Sequence, residues 1–398
     1  MTQAESYDMI VIGAGISGLS LANHIARSGK KVLVVDAAKK VGGCLNTYYK
    51  DDFWVEMGAH TFYATYANLI DLIQKNELEQ DIVAREKVGM KVFTDKHEKI
   101  MSGVNKFELI RSVPNLFFSK RDGKTVKEYF GKIVGRKNYD NVFTRMFSAV
   151  IVQNADNFSA EYFLKRRKTK SKEHPKSFIL KKGMTSFMEA LAAHENIKVQ
   201  LNTKINQLTK NQEGFEVKSE LGDVFTSKDI ALAVSPKLAS ELSKGLNSDL
   251  SSVLADYPIQ NIESRTVILP KEKLNFDPVS FIIPLQGPCF SMVTRDVMTH
   301  DHMRGFAFHF EENHIGKEEQ EKFMTELLCI DSLDAETVEA KHKLPLIKIG
   351  HTERMAKIKQ LAEETGIYIT GNYFNGLSLE DCVERSKQEF ERYVGNYK

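Results

Sequence analysis

Cysteine is scarce in this sequence and scattered. The four residues, Cys44, Cys289, Cys329 and Cys382, include no C-x-x-C pair. They offer neither a thiolate metal site nor a disulfide framework, and a reducing compartment, the cytoplasm, is the expectation. The histidines show no metal-ligand spacing, so no metal is expected. No run approaches the length of about 18 apolar residues that would span a membrane. The opening residues MTQAESYD lack the basic-then-apolar pattern of a secretion signal. An excess of one charge is missing too: 55 Lys and Arg face 53 Asp and Glu, a net charge of +2. That leaves no global attraction to nucleic acid, and none is expected as a partner. There is no internal repeat and no low-complexity stretch. What remains is ordinary globular material, 42% hydrophobic and 27% charged over 398 residues, enough for two or three domains.

Against these absences stands the opening segment YDMIVIGAGISGLSLANHIARSGKKVLVVD. It reads as strand, glycine turn, helix, strand and acid. Residues 8–12 are a short apolar run, Leu19–Ala26 continues at helical spacing, and Val32–Val35 is a second buried strand. Gly13, Gly15 and Gly18 form G-x-G-x-x-G. In that pattern the first glycine permits the turn, the second lets backbone approach a pyrophosphate, and the third allows close helix–strand packing. The helix start at residues 15–18, with Ile16 and Ser17, offers free N–H groups and a positive dipole end to phosphates. Asp36, 18 residues after Gly18, is placed to accept ribose hydroxyls, with Ala37 beside it. Its charge disfavours a 2′-phosphate, so NADP is not expected.

The continuation AAKKVGGCLNTYY, then FWVEMGAHTFYA, resembles the flavin amine oxidase and protoporphyrinogen oxidase superfamily. There a G-G-R-x-x-T segment wraps FAD and a G-A-H or G-P-H segment lies beside the flavin. Gly42, Gly43, Thr47, Gly58, Ala59 and His60 match, whereas Cys44 stands in place of the usual Arg. Residues 178–208 resemble the family's next helix and strands, which would bring the backbone at Ile205 to the adenine. Asp229–Pro236 resembles the strand ending in a-x-P, with Ser235 beside the FAD. In IYITGNYFNGLSLEDCVERS, residues 367–386, the segment Gly371, Asn372, Leu377, Ser378 and Leu379 would close on the flavin. The helix from Leu379 would aim its positive end at the ring. Gly371, Asn372, Gly376, Asp381 and Cys382 fit the form found in protoporphyrinogen and coproporphyrinogen oxidases, as do Pro345, Gly350, His351 and Arg354 upstream.

The resemblance implies an α/β fold. A Rossmann-like FAD-binding domain would be assembled from residues 1–75, 176–252 and 353–398. An α+β substrate domain would be interleaved from 76–175 and 253–352. Residues 76–175 read as mostly helical, including Lys124–Ile133 and a helix starting near Ser159; Ala67–Lys75 reads the same way. Arg265–Leu269, Ser280–Pro284 and Phe306–Phe310 read as strands.

The implied chemistry is hydride transfer from a small organic substrate to flavin N5. A porphyrinogen-type substrate, hydrophobic with acidic groups, comes first. Amine oxidation, desaturation, and a non-redox FAD isomerase or binding protein stay open. His60 and Thr61 are the local catalytic candidates, and His351 a more distant one. The basic run Lys165–Lys176 reads as a solvated loop. Residues 104–120 mix Phe107, Ile110, Leu116, Phe117 and Phe118 with basic residues, which leaves peripheral membrane contact open.

Overall fold

The computed structural model describes residues 6–397. It contains two large sheets. In the first, parallel strands run in the order Ile197–Gln200, Val32–Val35, Ser6–Ile12, Val224–Leu232. Strands Phe215–Ser219 and Ile205–Lys210 extend it antiparallel, and the two-residue strand Tyr368–Ile369 pairs parallel with Ala231 and Leu232. Alternation along each parallel strand feeds two cores. Met9, Val11, Val32 and Val34 face helices Ile16–Arg27, Ala67–Lys75, Met184–Ala192 and Leu379–Asn396. Ile10, Ile12, Leu33 and Val35 face helices Pro236–Ser243, Ser248–Ala255 and His351–Thr365. A sheet covered on both faces needs apolar residues at every position, which is why these strands read as continuous runs. The expected Rossmann-like α/β arrangement, built from separated segments, is what is observed.

The second sheet has the order Thr337–Pro345, Ile259–Pro270, Met303–Glu311, Cys289–Thr294, Val279–Pro284, Gly89–Phe93, His97–Lys99. It is antiparallel except where Val279–Pro284 runs parallel to Gly89–Phe93. One face, with Val267, Leu269, Met292, Phe306, Phe308 and Phe310, is apolar and packs on helix Lys317–Leu328. A helical layer spans Lys106–Ile151 and gathers around Val126, Val134, Tyr139 and Phe163. Arg145 ties it to the second sheet by donating to the carbonyls of Pro284, Gly287 and Cys289 at 2.8–3.0 Å.

Two expectations need correction. Residues 76–175 are not mostly helical from their start, because Ile82–Ala84 and Gly89–Phe93 are strands that join partners far along the chain, and His97–Lys99 is a strand that folds back on Gly89–Phe93. No helix begins at Ser159 either: its N–H donates to Ile347 O at 2.7 Å and it bridges to Thr125. Those long-range bonds hold residues 159–164 in turns. The helix read at Lys124–Ile133 is present as Val126–Val134, begun by a Thr125–Glu128 capping box.

Candidate functional site

The three glycines of the first turn divide by what lies over them. A Cβ on Gly13, whose φ is +113°, would sit 2.3 Å from Ala233 O, and one on Gly18 would sit 1.9 Å from Gly13 O. Both positions are filled by the fold itself. A Cβ on Gly15 would meet nothing within 4 Å. Gly15 is the N-cap of Ile16–Arg27, which therefore has no side-chain cap, and the first turn carries no acid. Open space lies over free N–H groups at a positive helix end, the combination that receives an anion. Asp36 accepts from Ala14 N at 2.6 Å and from Ala38 N at 2.7 Å. It pins the turn to the end of the second strand, and each oxygen keeps a second lone pair.

Gly42 and Gly43 lie directly against this turn. Gly42 N donates to Ala14 O at 2.8 Å, and a Cβ on Gly43 would come within 3.3 Å of Gly15 Cα. The chain then forms a hairpin, Thr47–Lys50 with Phe53–Glu56, and returns at Gly58, whose Cβ would meet Cys44 O at 2.4 Å. Cys44 is reached by solvent, yet surrounding protein desolvates its thiol and raises its pKa. Ala59 is exposed, and His60 and Thr61 are half-buried beside it. His60 Nδ1 lies 3.2 Å from Gly58 O. Donation there leaves Nε2 as the acceptor nitrogen. Burial, then the charge of Arg85, pushes the His60 imidazole down to about 4, so it is neutral at pH 7. Thr61 Oγ1 is buried with no partner.

The polar face of the second sheet abuts this segment. Ser264, His309 and Ser291 stand opposite one another across three strands, with Ser264 Oγ 2.7 Å from His309 Nδ1. Thr266 Oγ1 and Ser291 Oγ are buried without partners. His342 Nε2 lies 3.1 Å from Met57 O, and His342 Cε1 lies 3.5 Å from where a Gly58 Cβ would be. Burial holds His309 down to about 3, with His342 and His60 close enough to add to the effect. Arg85, half-buried next to His60, makes no ion pair among the described residues, and its Nε is buried without a partner. A small cavity of about 10 Å³ opens between Trp54, Glu56, His60 and Arg295. The larger surface groove, about 610 Å³ along Asn206–Lys210 and Glu241, contains none of the predicted site residues.

Three helices near the turn begin against carboxylates. Glu56 accepts from Met184 N at 2.7 Å and from Thr47 Oγ1 at 2.9 Å. Burial outweighs these bonds and pushes its carboxyl up to about 7. Glu380 accepts from Asn68 N and Leu69 N, each at 3.0 Å. Ser378 caps Leu379–Asn396 in a capping box with Asp381, and Arg167 donates to both Ser378 Oγ and Asp381 Oδ1 at 2.8 Å. Lys165 donates to Asn375 O. The basic run is therefore not wholly a solvated loop; its first residues dock on the C-terminal segment. The first turn there carries Glu380 and Asp381, whose charges compensate much of its positive dipole end. Gly371 is buried and Asn372 half-buried. Ser235 is the N-cap of Pro236–Ser243, and Ile205 is buried at the start of its strand. His351 is the one catalytic candidate placed apart: its Nδ1 lies 3.2 Å from Tyr257 Oη and its Nε2 2.8 Å from Phe374 O. Both nitrogens hold protein, which makes it a support for the C-terminal loop.

A family model for flavin containing amine oxidoreductases matches residues 16–269, well over half of the chain. The chain belongs to that family. Among solved structures, a protein of Exiguobacterium sp. 255-15 provisionally assigned as a protoporphyrinogen oxidase gives a TM-score of 0.81 at 16% identity, over 99% of this chain and 100% of that one. Putrescine oxidase with bound putrescine gives 0.72 at 13%, over 98% and 99%. At such identities the likeness is one of fold. Pseudooxynicotine dehydrogenase of Pseudomonas sp is 22% identical over 249 residues, 56% of this chain and 50% of that protein. All-trans-retinol 13,14-reductase of Danio rerio is 41% identical over 56 residues, 14% and 9%. The chain thus spans half or less of the length of these curated relatives.

As a flavin-containing amine oxidoreductase, the chain belongs with FAD-dependent oxidoreductases and takes FAD as its cofactor. Its own geometry fits that group. Open space lies over Gly15, the adjoining helix end is uncapped, and Gly43, Cys44 and Ala59 are exposed beside it. Among the described residues no helix is long and apolar enough to cross a membrane, and no cluster could hold a metal. Sequence reasoning missed Arg85, Arg167, Glu56 and the polar row of the second sheet. Only the hairpin had a local signal, two aromatic β-rich runs around Asp51 and Asp52.

Proposed function

We propose that this chain oxidises a small, largely apolar substrate bearing a carboxylate, of the porphyrinogen type, by hydride transfer to FAD. The observation that carries this reading is Arg85: a half-buried guanidinium, without a carboxylate partner among the described residues, next to neutral His60. An uncompensated buried cation is costly, and an anionic ligand group relieves the cost. The same charge works against a protonated amine at that position. We assign residues 1–75, 176–252 and 353–398 to cofactor binding, and 76–175 and 253–352 to the substrate. The backbone of Gly15, Ile16, Ser17 and Gly18 would face the pyrophosphate, with Asp36 and Ala37 at the ribose. Ile205 and Ser235 would lie on the adenine side. Gly42, Gly43, Cys44 and Gly58–His60 would wall the flavin, and Gly371, Asn372 and Leu377–Leu379 would close on it. When bound, FAD supplies a two-electron acceptor at N5. His60 Nε2 would accept a hydrogen bond from the substrate; with its low basicity it orients rather than stores a proton at neutral pH. Thr61, Ser291 and Thr266 would satisfy polar groups of the substrate.

Anaerobic bleaching of the purified holoprotein tests the reading. Flavin reduction by porphyrinogens and not by amines is expected, and Arg85→Ala should raise KM about tenfold or more while kcat changes little. No bleaching by any porphyrinogen would remove the substrate class. A redox-neutral product would point to an isomerase instead.

A further inference from the structure

The helical layer carries a feature that the redox site does not use. Within residues 101–118, Met101, Phe107, Ile110, Val113, Leu116, Phe117 and Phe118 are all exposed, with Phe107, Phe117 and Phe118 at 76%, 80% and 87%. The short helices Lys106–Ser112 and Asn115–Phe118 present them, while Leu109 turns inward onto the layer's core. The segment is held in place. Asn105 and Asn138 exchange two hydrogen bonds of 2.7 and 2.9 Å, Asn115 donates to Lys132 O at 2.8 Å, and Glu108 accepts from Lys137 N and Asn138 N. A fixed apolar patch of this kind marks an interaction surface.

Charge decides what covers it. Residues 99–137 hold ten Lys and Arg against Glu108, Asp122 and Glu128, in a chain of net +2. Glu108 is turned to backbone N–H groups, and Glu128 is consumed in its capping box. Lys106, Arg111 and Lys120 are exposed and make no ion pair among the described residues. A second copy meeting this face would bring like charges together. A lipid surface with anionic head groups matches both components: phenylalanines enter the boundary with the acyl chains, and flanking basic residues meet the head groups. We propose that this patch docks the protein on the surface of an anionic membrane, without spanning it.

Vesicle sedimentation tests this with the purified holoprotein. Vesicles of phosphatidylcholine alone are compared with vesicles containing phosphatidylglycerol, at low and high salt. Co-sedimentation with the anionic vesicles, weakened by salt, is expected. It should fall about tenfold or more in the F117S/F118S double variant and in K106E/R111E, with circular dichroism, melting temperature and bound flavin unchanged. Wild-type protein remaining in the supernatant with every vesicle would overturn the proposal, as would equal binding by F117S/F118S. A concentration-dependent dimer abolished by F117S/F118S, without vesicle binding, would assign the patch to a second copy and overturn it as well.

Discussion

Four helices share one face of the first sheet, and their beginnings differ. Ala67–Lys75 starts against Glu380, Met184–Ala192 against Glu56, and Leu379–Asn396 against its own Ser378 and Asp381. Ile16–Arg27 starts at Gly15, with no cap and no acid. The free N–H groups of a helix start need acceptors, so three ends are completed within the protein and one is left for an external anion. The contrast separates residues that hold the fold from those we assign to the cofactor, and substitutions can break it at graded cost.

The largest effect is expected at Gly18. Gly18→Val would drive Cβ into Gly13 O and cost about 4 kcal/mol or more, read as insoluble or unfolded protein by circular dichroism. Gly15→Val, three residues away in the same motif, should leave the protein folded and strip its flavin, weakening FAD retention about 100-fold by visible absorbance of the purified protein. Full flavin content in that variant would collapse the distinction.

Glu56 offers the next test, by pH. Its folded pKa, about 7, lies above the ordinary 4.5 because burial favours the neutral acid. The folded state therefore binds the proton more tightly than the unfolded chain. The contribution is complete below the unfolded pKa and is lost as pH rises through 7. Folding stability should fall between about pH 5 and pH 8 by up to about 3 kcal/mol from this group, and Glu56→Gln should flatten that slope in denaturant titrations. Ser378→Ala is the mildest change: about 1 kcal/mol of stability, with flavin content retained. Loss of flavin there would mean that the Ser378 side chain, and not only the backbone of the closing segment, serves the cofactor.

What could be read from the sequence followed from short-range pattern. Gly13, Gly15 and Gly18 lie within six residues of one another, and the buried strands at 8–12 and 32–35 announce themselves as unbroken apolar runs. The helix from Leu379 was legible for the same reason. Arg167 was read as solvated because its partners, Ser378 and Asp381, lie more than 200 positions away. Arg85 matters through what it lacks among the described residues, a carboxylate ion-pair partner, and its sequence, with Glu86 next to it, does not report that absence in space. The row Ser264, His309 and Ser291 exists only once three strands are in register. The Ser159 helix failed conversely, since a good capping residue lost its N–H to a distant carbonyl. Dipole compensation at Leu379 could have been foreseen from Glu380 and Asp381 in sequence; the arginine that completes it could not.

The strand Tyr368–Ile369 is only two residues long, yet it joins the sheet that Ser6–Ile12 begins, and Ser386 Oγ donates to Ser17 O at 2.7 Å. The glycine turn precedes this closing pair by some 350 residues of chain. Contacts of such separation form slowly, and the intermediate exposes strand edges in the meantime. With the segment after Tyr368 assigned to the flavin, the cofactor would hold together parts of the chain that the sequence keeps far apart, and a chain cut before Tyr368 is expected to retain no flavin, read by visible absorbance.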